Sequence, residues 1–224
     1  GKSARADFKI PLQDARWKGL LAGQPASAHR QGMADPVVRL AVNVLGGPPL
    51  KGENFATYRT DHEVETIVGL GLAVHLPLGQ YSEDRLLNLG SNRFTIRPQL
   101  GVEHKRGNWI AELTASIWFF ADNNSFFNGL CREQDPLFTA QAHLTYNFRP
   151  GFWASVSGAL GYGAQSTIDH LEKDDKQRNV AWALDLGYSL TRHFGLKFGY
   201  VGIYNLSAVG TDSNTLIVGA SCFW

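Results

Sequence analysis

From Phe138 to Arg149 every second residue is apolar: Phe138, Ala140, Ala142, Leu144, Tyr146 and Phe148 alternate with Thr139, Gln141, His143, Thr145, Asn147 and Arg149. A period of two sends successive side chains to opposite faces of an extended chain, so the segment reads as a β-strand with one apolar and one polar face. Its length suits a tilted strand crossing the hydrocarbon layer, which takes ~9–11 residues. The alternation recurs along almost the whole sequence. Phe94, Ile96, Leu100 and Val102 oppose Arg93, Thr95, Arg97, Gln99 and Glu103, and Trp109, Ala111, Leu113, Ala115 and Ile117 oppose Glu112, Thr114 and Ser116. Residues 4–10, 38–44, 69–76, 152–165, 182–190, 196–200 and 215–224 repeat it, which gives about ten strands.

The connections differ in length. Lys105-Arg106-Gly107-Asn108, Arg149-Pro150-Gly151 and Thr191-Arg192-His193 are tight, whereas 80–92, 122–135, 169–178 and 208–214 are longer, polar and rich in Asn, Asp, Ser and Gly. Transmembrane barrels pair short periplasmic turns with longer outer loops, so the long set is expected outside the cell. Segment 46–63 breaks this rule by being long on the periplasmic side. Gly46-Gly47-Pro48-Pro49 ends the preceding strand, and the remainder is expected to form a short helix or cap.

No stretch approaches the ~20 apolar residues of a membrane-spanning helix. The mean hydropathy of −0.18 is compatible with a membrane barrel, because only alternate strand residues meet lipid. A soluble barrel or sandwich would turn the apolar face inward. Against that stand Gly69, Gly71, Ala73, Ser155, Ser157, Ala159 and Gly161, too small for a solvated surface but suited to a crowded lumen. The apolar face also carries Trp109, Phe119, Phe138, Tyr146, Phe148, Tyr162, Trp182, Tyr188 and Phe198 near strand ends, as interfacial girdles require. The fold class expected is therefore all-β, a transmembrane antiparallel up-and-down barrel that fills residues 1–224 as one domain. Its place is the bacterial outer membrane, against lipid and lipopolysaccharide. Leu216, Val218, Ala220, Cys222 and Trp224 end the chain as an apolar alternating series, which resembles the terminal-strand signal read by the barrel-assembly machinery.

A net charge of +1 supplies no basic stripe for nucleic acid. Cys131 and Cys222 have neither zinc-ligand spacing nor a C-x-x-C pattern and read as free thiols, and no cofactor is indicated. The acidic loop residues Asp122, Glu133, Asp135, Asp174 and Asp175 could hold a divalent ion at the outer rim, or simply be solvated.

The run from Pro77 through Tyr81-Ser82-Glu83-Asp84-Arg85-Leu86-Leu87-Asn88-Leu89-Gly90-Ser91-Asn92-Arg93 resembles the signature of the MetA-pathway of phenol degradation family of outer-membrane proteins. Asp35-Pro36 leading into Arg39-Leu40-Ala41-Val42-Asn43, Asp122-Asn123-Asn124-Ser125-Phe126-Phe127 and Glu133-Gln134-Asp135-Pro136-Leu137 are similar to it as well. The resemblance implies an outer-membrane channel for uptake of aromatic or other hydrophobic compounds. It also implies one more hairpin before Gly1–Leu12, so that the chain is expected to be a trimmed piece of a barrel of about twelve strands whose first and last strands cannot close regularly.

If the face assignment holds, the lumen collects Arg5, Asp7, Lys9, Arg39, His75, Arg93, Arg97, Glu103, Glu112, His143, Arg149, Asp185 and Lys197. Of these, Arg39, His75, Arg97, Glu112, His143, Asp185 and Lys197, with Asn43, Gln99 and Gln141, are the candidate pore-lining or solute-binding residues. They would form a polar constriction selecting small-molecule solutes by size and hydrogen bonding, or a structural plug of ion pairs. An enzyme, such as a lipid-modifying hydrolase on a barrel scaffold, needs a nucleophile and base on neighbouring strands. No such set is evident: His75 and His143 face the lumen, His104 lies by a periplasmic turn, His62, His170 and His193 lie in loops or turns, and His29 falls in an irregular segment.

Overall fold

Each long alternating segment forms a strand of one antiparallel sheet in the computed structural model, which describes residues 2–21, 23–50, 54, 57, 58, 61–191, 193–207 and 212–222. In chain order the strands are β1 (Ala4–Lys9), β2 (Leu12–Leu21), β3 (Gln24–Met33), β4 (Val37–Leu45), β5 (Val64–His75), β6 (Thr95–Arg106), β7 (Trp109–Phe120), β8 (Asn123–Phe126), β9 (Leu130–Gln134) and β10 (Leu137–Arg149). There follow β11 (Phe152–Gly163), β12 (Ser166–Ile168), β13 (Leu171–Glu172), β14 (Gln177–Ser189), β15 (Phe194–Asn205) and β16 (Ser213–Cys222). The main sheet has ten strands, in the order β1-β4-β5-β6-β7-β10-β11-β14-β15-β16. β1 and β16 are its edges, and among the described residues no ladder joins them.

Local chemistry sets the strand ends. Gly107 (φ 56°) and Gly151 (φ 78°) take the left-handed conformation in the tight β6–β7 and β10–β11 connections. The third tight turn includes Arg192, outside the described residues. Thr57, Tyr58 and Asp61 in the 46–63 segment are helical, and the His62 amide donates to the Tyr58 carbonyl at 3.0 Å.

The two faces separate as the alternation requires. Leu72, Leu100, Leu113, Leu144, Leu186 and Val218 lie exposed on one face, and Leu113 keeps 63% of its surface free. Arg39, Arg97, Glu112, His143, Asp185 and Lys197 lie half-buried on the other. That second face is concave, because its side chains meet across an intervening strand. Arg39 Nε on β4 donates to Gln99 Oε1 on β6 at 3.1 Å, and the His75 ring on β5 lies 5.3 Å from the Trp118 ring on β7. Trp153 lies over Gly187, where a Cβ would collide with the indole. On the convex face, Trp109, Tyr146, Phe148, Phe152 and Tyr188 form a chain of ring contacts with centroids 4.7, 5.0, 4.9 and 6.0 Å apart, a belt across four strands.

Three sequence expectations need correction. The segment around His29 is not irregular: β2 and β3 pair from Leu12↔Met33 to Leu21↔Gln24 as a hairpin, and His29 Nε2 lies 2.8 Å from Asp14 Oδ1 within it. β3 has no apolar face, and the alternation of Ala15 and Trp17 with Asp14, Arg16 and Lys18 on β2 is too short to stand out. The long connections 122–135 and 169–178 are not wholly loop, because β8, β9, β12 and β13 form a four-stranded sheet over one end of the main sheet. Their two- to five-residue strands are too short to show a period. Arg149, thirdly, does not join the lumen set. The β10–β11 register shifts between Asn147 and Arg149, pairing Arg149 with Phe152 on the convex face, where its guanidinium carbon lies 5.9 Å from the Tyr188 ring.

The segments with family-like residues form the cap. Asp35 Oδ1 accepts from the Gly79 amide at 3.0 Å, and Asp35 Oδ2 accepts from the Ser91 amide and hydroxyl at 2.8 and 2.5 Å. The Asn123 side-chain amide donates to the Tyr81 hydroxyl (3.0 Å) and the Ser91 carbonyl (3.1 Å), and Asn123 Oδ1 accepts from Asn92 Nδ2 at 3.0 Å. Gly79 and Gly90 sit back to back, and a Cβ on either would come within 2.7 Å of the other's backbone. The cap therefore closes on glycine at both positions.

Candidate functional site

Rows of side chains across the ladder define the concave face. In one, Glu103, Glu112, His143 and Ser157 are cross-strand partners on β6, β7, β10 and β11, and His143 Nδ1 lies 2.7 Å from Ser157 Oγ. Toward the cap, the next row holds Asn43, Gly69, Gly101, Thr114 and Gln141. The following one holds Arg5, Ala41, Gly71, Gln99, Ser116 and Thr139. Glycine and alanine leave space between the polar groups. A groove of about 370 Å³ results, lined by Arg5, Arg39, Asn43, Gln99, Glu112 and Thr114 among others.

All ten candidate residues, Arg39, Asn43, His75, Arg97, Gln99, Glu112, Gln141, His143, Asp185 and Lys197, are half-buried and lie on this one face. They do not form a single cluster. Near β1, Arg39 Nη1 lies 3.3 Å from Asp7 Oδ2, and Asp7 also holds Arg5 at 2.7 Å. On the far side, Lys197 Nζ lies 2.9 Å from Asp185 Oδ1 and 6.0 Å from the Trp153 ring. Arg97 stacks on Trp118 at 4.1 Å, and Arg93, in the connection just before β6, stacks on Phe120 at 4.7 Å. Arg93 lies between the β5 and β6 spans, where burial and the neighbouring Arg132 guanidinium bring its pKa down to about 10, so it stays charged at neutral pH.

Two features escaped sequence reasoning. Trp118 and Phe120 point inward, but they sit in the run Ile117-Trp118-Phe119-Phe120, where both faces are apolar and no period survives. The His143–Ser157 pair depends on the bulge between Asn147 and Arg149, since counting from the Arg149↔Phe152 turn alone would set His143 opposite Gly158. With Glu112 beside His143 it forms a Ser–His–Glu row. β11 is paired on both sides throughout this stretch, so its amides serve the ladder and offer no oxyanion hole.

The rim acids are dispersed or otherwise engaged. Asp175 accepts from both the amide and hydroxyl of Ser166, and no three His, Cys, Asp or Glu side chains converge among the described residues. Cys131 and Cys222 are unpaired thiols.

A family model described as "Putative MetA-pathway of phenol degradation" matches residues 5–204. The chain belongs to that family. Among solved structures it is similar to an outer-membrane channel from Pseudomonas putida F1, with a TM-score of 0.78 and 19% sequence identity, over 99% of this chain and 78% of the other. At that identity the likeness establishes the fold alone. No curated protein sequence matches the chain. The segments that resemble the family at 77–93, 122–127 and 133–137 lie at the cap end, and the one at 35–43 supplies both the cap's Asp35 and the concave-face Arg39 and Asn43.

Proposed function

We propose that the chain works in the bacterial outer membrane as a channel-type barrel that passes small molecules, aromatic or hydrophobic ones included. The observation that carries this reading is the separation of faces. A belt of exposed leucines and aromatic rings covers the convex side, and a charged, glycine-spaced groove runs along the concave side. Such a molecule needs lipid or lipopolysaccharide against its belt and solvent against its groove. The family membership and the fold of the Pseudomonas channel support it. Residues 1–224 act as one barrel domain, and the barrel-assembly machinery reads the terminal strand, whose last residue Trp224 lies outside the described residues.

Reconstituted into liposomes, the protein is expected to admit small solutes, read as swelling, and to give small conductance steps in planar bilayers. The Ser157–His143–Glu112 row supports a second reading, a hydrolase acting on lipid. No flux or conductance, together with turnover of phospholipid or lipopolysaccharide that disappears in Ser157→Ala, would establish that reading in place of the first.

A further inference from the structure

Beneath the β2–β3 hairpin the cap encloses a second space, separate from the groove. It measures about 300 Å³ and is lined by Trp17, Tyr81, Leu87, Arg93, Phe126 and Arg132 among others. That is the lower end of the ~300–1,000 Å³ range of small-molecule sites. Its walls are three aromatic rings and leucine side chains, and its charge comes from two guanidiniums.

Those guanidiniums are in an unusual state for buried arginines. Arg93 keeps only 7% of its surface exposed, and a buried cation is ordinarily matched by a carboxylate. Here Arg93 Nη2 donates to the neutral Gln134 Oε1, and Arg93 Nη1 has no hydrogen-bond partner. Arg132 lies over the Phe126 ring at 5.4 Å, and its Nε is likewise unpartnered. No ion pair within 4.0 Å engages either residue among the described residues. Of the nearby carboxylates, Asp35 is held by Gly79 and Ser91 and Asp175 by Ser166, and Asp122, which acts on Arg93, forms no ion pair with it within 4.0 Å. Two like charges thus share a small, half-apolar space with donors left over, an arrangement that an incoming anion stabilises on both counts.

We propose that this cap pocket recognises a small organic acid, a single carboxylate carried on an aromatic or similarly apolar body. The carboxylate pairs with the Arg93 and Arg132 guanidiniums that line the space, and the body packs against Trp17, Tyr81 and Phe126. Arg97 follows Arg93 by four residues on the strand side, ~13 Å along the chain, and stacks on Trp118 in the same manner. A captured acid therefore meets a second guanidinium–ring pair on the concave face. Only this onward path rests on the channel reading; the capture step stands apart from it.

The test is binding by the full-length chain in detergent, with benzoate as probe, read by calorimetry and by tryptophan fluorescence. Benzoate is expected to bind saturably, and benzyl alcohol, with the same ring and no charge, at least about ten-fold more weakly. Arg132→Gln should weaken benzoate about ten-fold or more, while Arg93→Lys, which keeps the charge but loses the fork, should weaken it less. Trp17→Ala, on a hairpin outside the main sheet, serves as a second variant and should also weaken benzoate. Equal affinity for benzoate and benzyl alcohol, or unchanged benzoate binding in Arg132→Gln and Trp17→Ala, would overturn the proposal. So would inorganic phosphate displacing benzoate at lower concentration, which would assign the arginines to a phosphate-bearing headgroup. Binding is read here without flux, so a negative result leaves liposome swelling by neutral solutes to decide the channel reading on its own.

Discussion

Arginine in place of both Leu113 and Leu184 is expected to prevent stable assembly in lipid, whereas arginine in place of Gln141 is not. Leu113 and Leu184 lie mid-strand on the convex face, 63% and 52% exposed in the absence of lipid. A charged side chain on the lipid face at the bilayer midplane costs ~2–4 kcal/mol, and two such sites on β7 and β14 are far enough apart to add. The double variant thus loses ~4–8 kcal/mol, comparable with the whole stability of many domains. Gln141, on β10 between these strands, faces the polar groove, and the same change there should cost under ~1 kcal/mol. The measurement is the fraction of protein migrating in the folded, heat-modifiable form after refolding into vesicles, with urea midpoints for the variants that fold. Tolerance of Leu113→Arg with loss of Gln141→Arg would reverse the faces.

Ion selectivity should respond nearly as strongly to the concave-face charges. Arg39 and Arg97 stand toward the cap end, and Glu112 about mid-strand. A unit charge ~4 Å from a passing ion is worth ~1 kcal/mol even in bulk water, and more where the groove limits solvent. Removing both arginines, as Arg39→Gln with Arg97→Gln, is therefore expected to lower the chloride-to-potassium permeability ratio by ~ten-fold or more. Glu112→Gln should raise it. Reversal potentials across bilayers with a tenfold KCl gradient read both directions. Identical reversal potentials in all variants would mean that ions do not pass this face.

The fold was legible where a single rule governs a whole segment. Along β6, β7, β10 and β14 the period of two survives because lipid demands apolar side chains on one face and the groove demands small or polar ones on the other. It failed where that contrast is missing. In the β2–β3 hairpin β3 has no apolar face, and the cap strands end before a period can repeat. Arg149 was misplaced because a single bulge inverts the parity that alternation assumes. For the site, alternation assigns a residue to a face but not to its partners. That Arg97 stacks on Trp118, or that Arg93 and Arg132 share one pocket, depends on strand order and on loops folding back over the sheet, neither of which has a local signature. Ser157 and His143 are no exception, since counting from the Arg149↔Phe152 turn sets His143 opposite Gly158 and only the bulge brings it to Ser157.

The most direct test of which face meets lipid uses single cysteines on β10, with Cys131 and Cys222 changed to serine. In sealed proteoliposomes, Gln141→Cys and His143→Cys are expected to react with a charged, membrane-impermeant thiosulfonate on the order of ten-fold faster than Ala142→Cys and Leu144→Cys, their neighbours on the opposite face. Rapid labelling at 142 and 144 with protection at 141 and 143 would contradict the assignment of the convex face to lipid and of the concave face to a solute path.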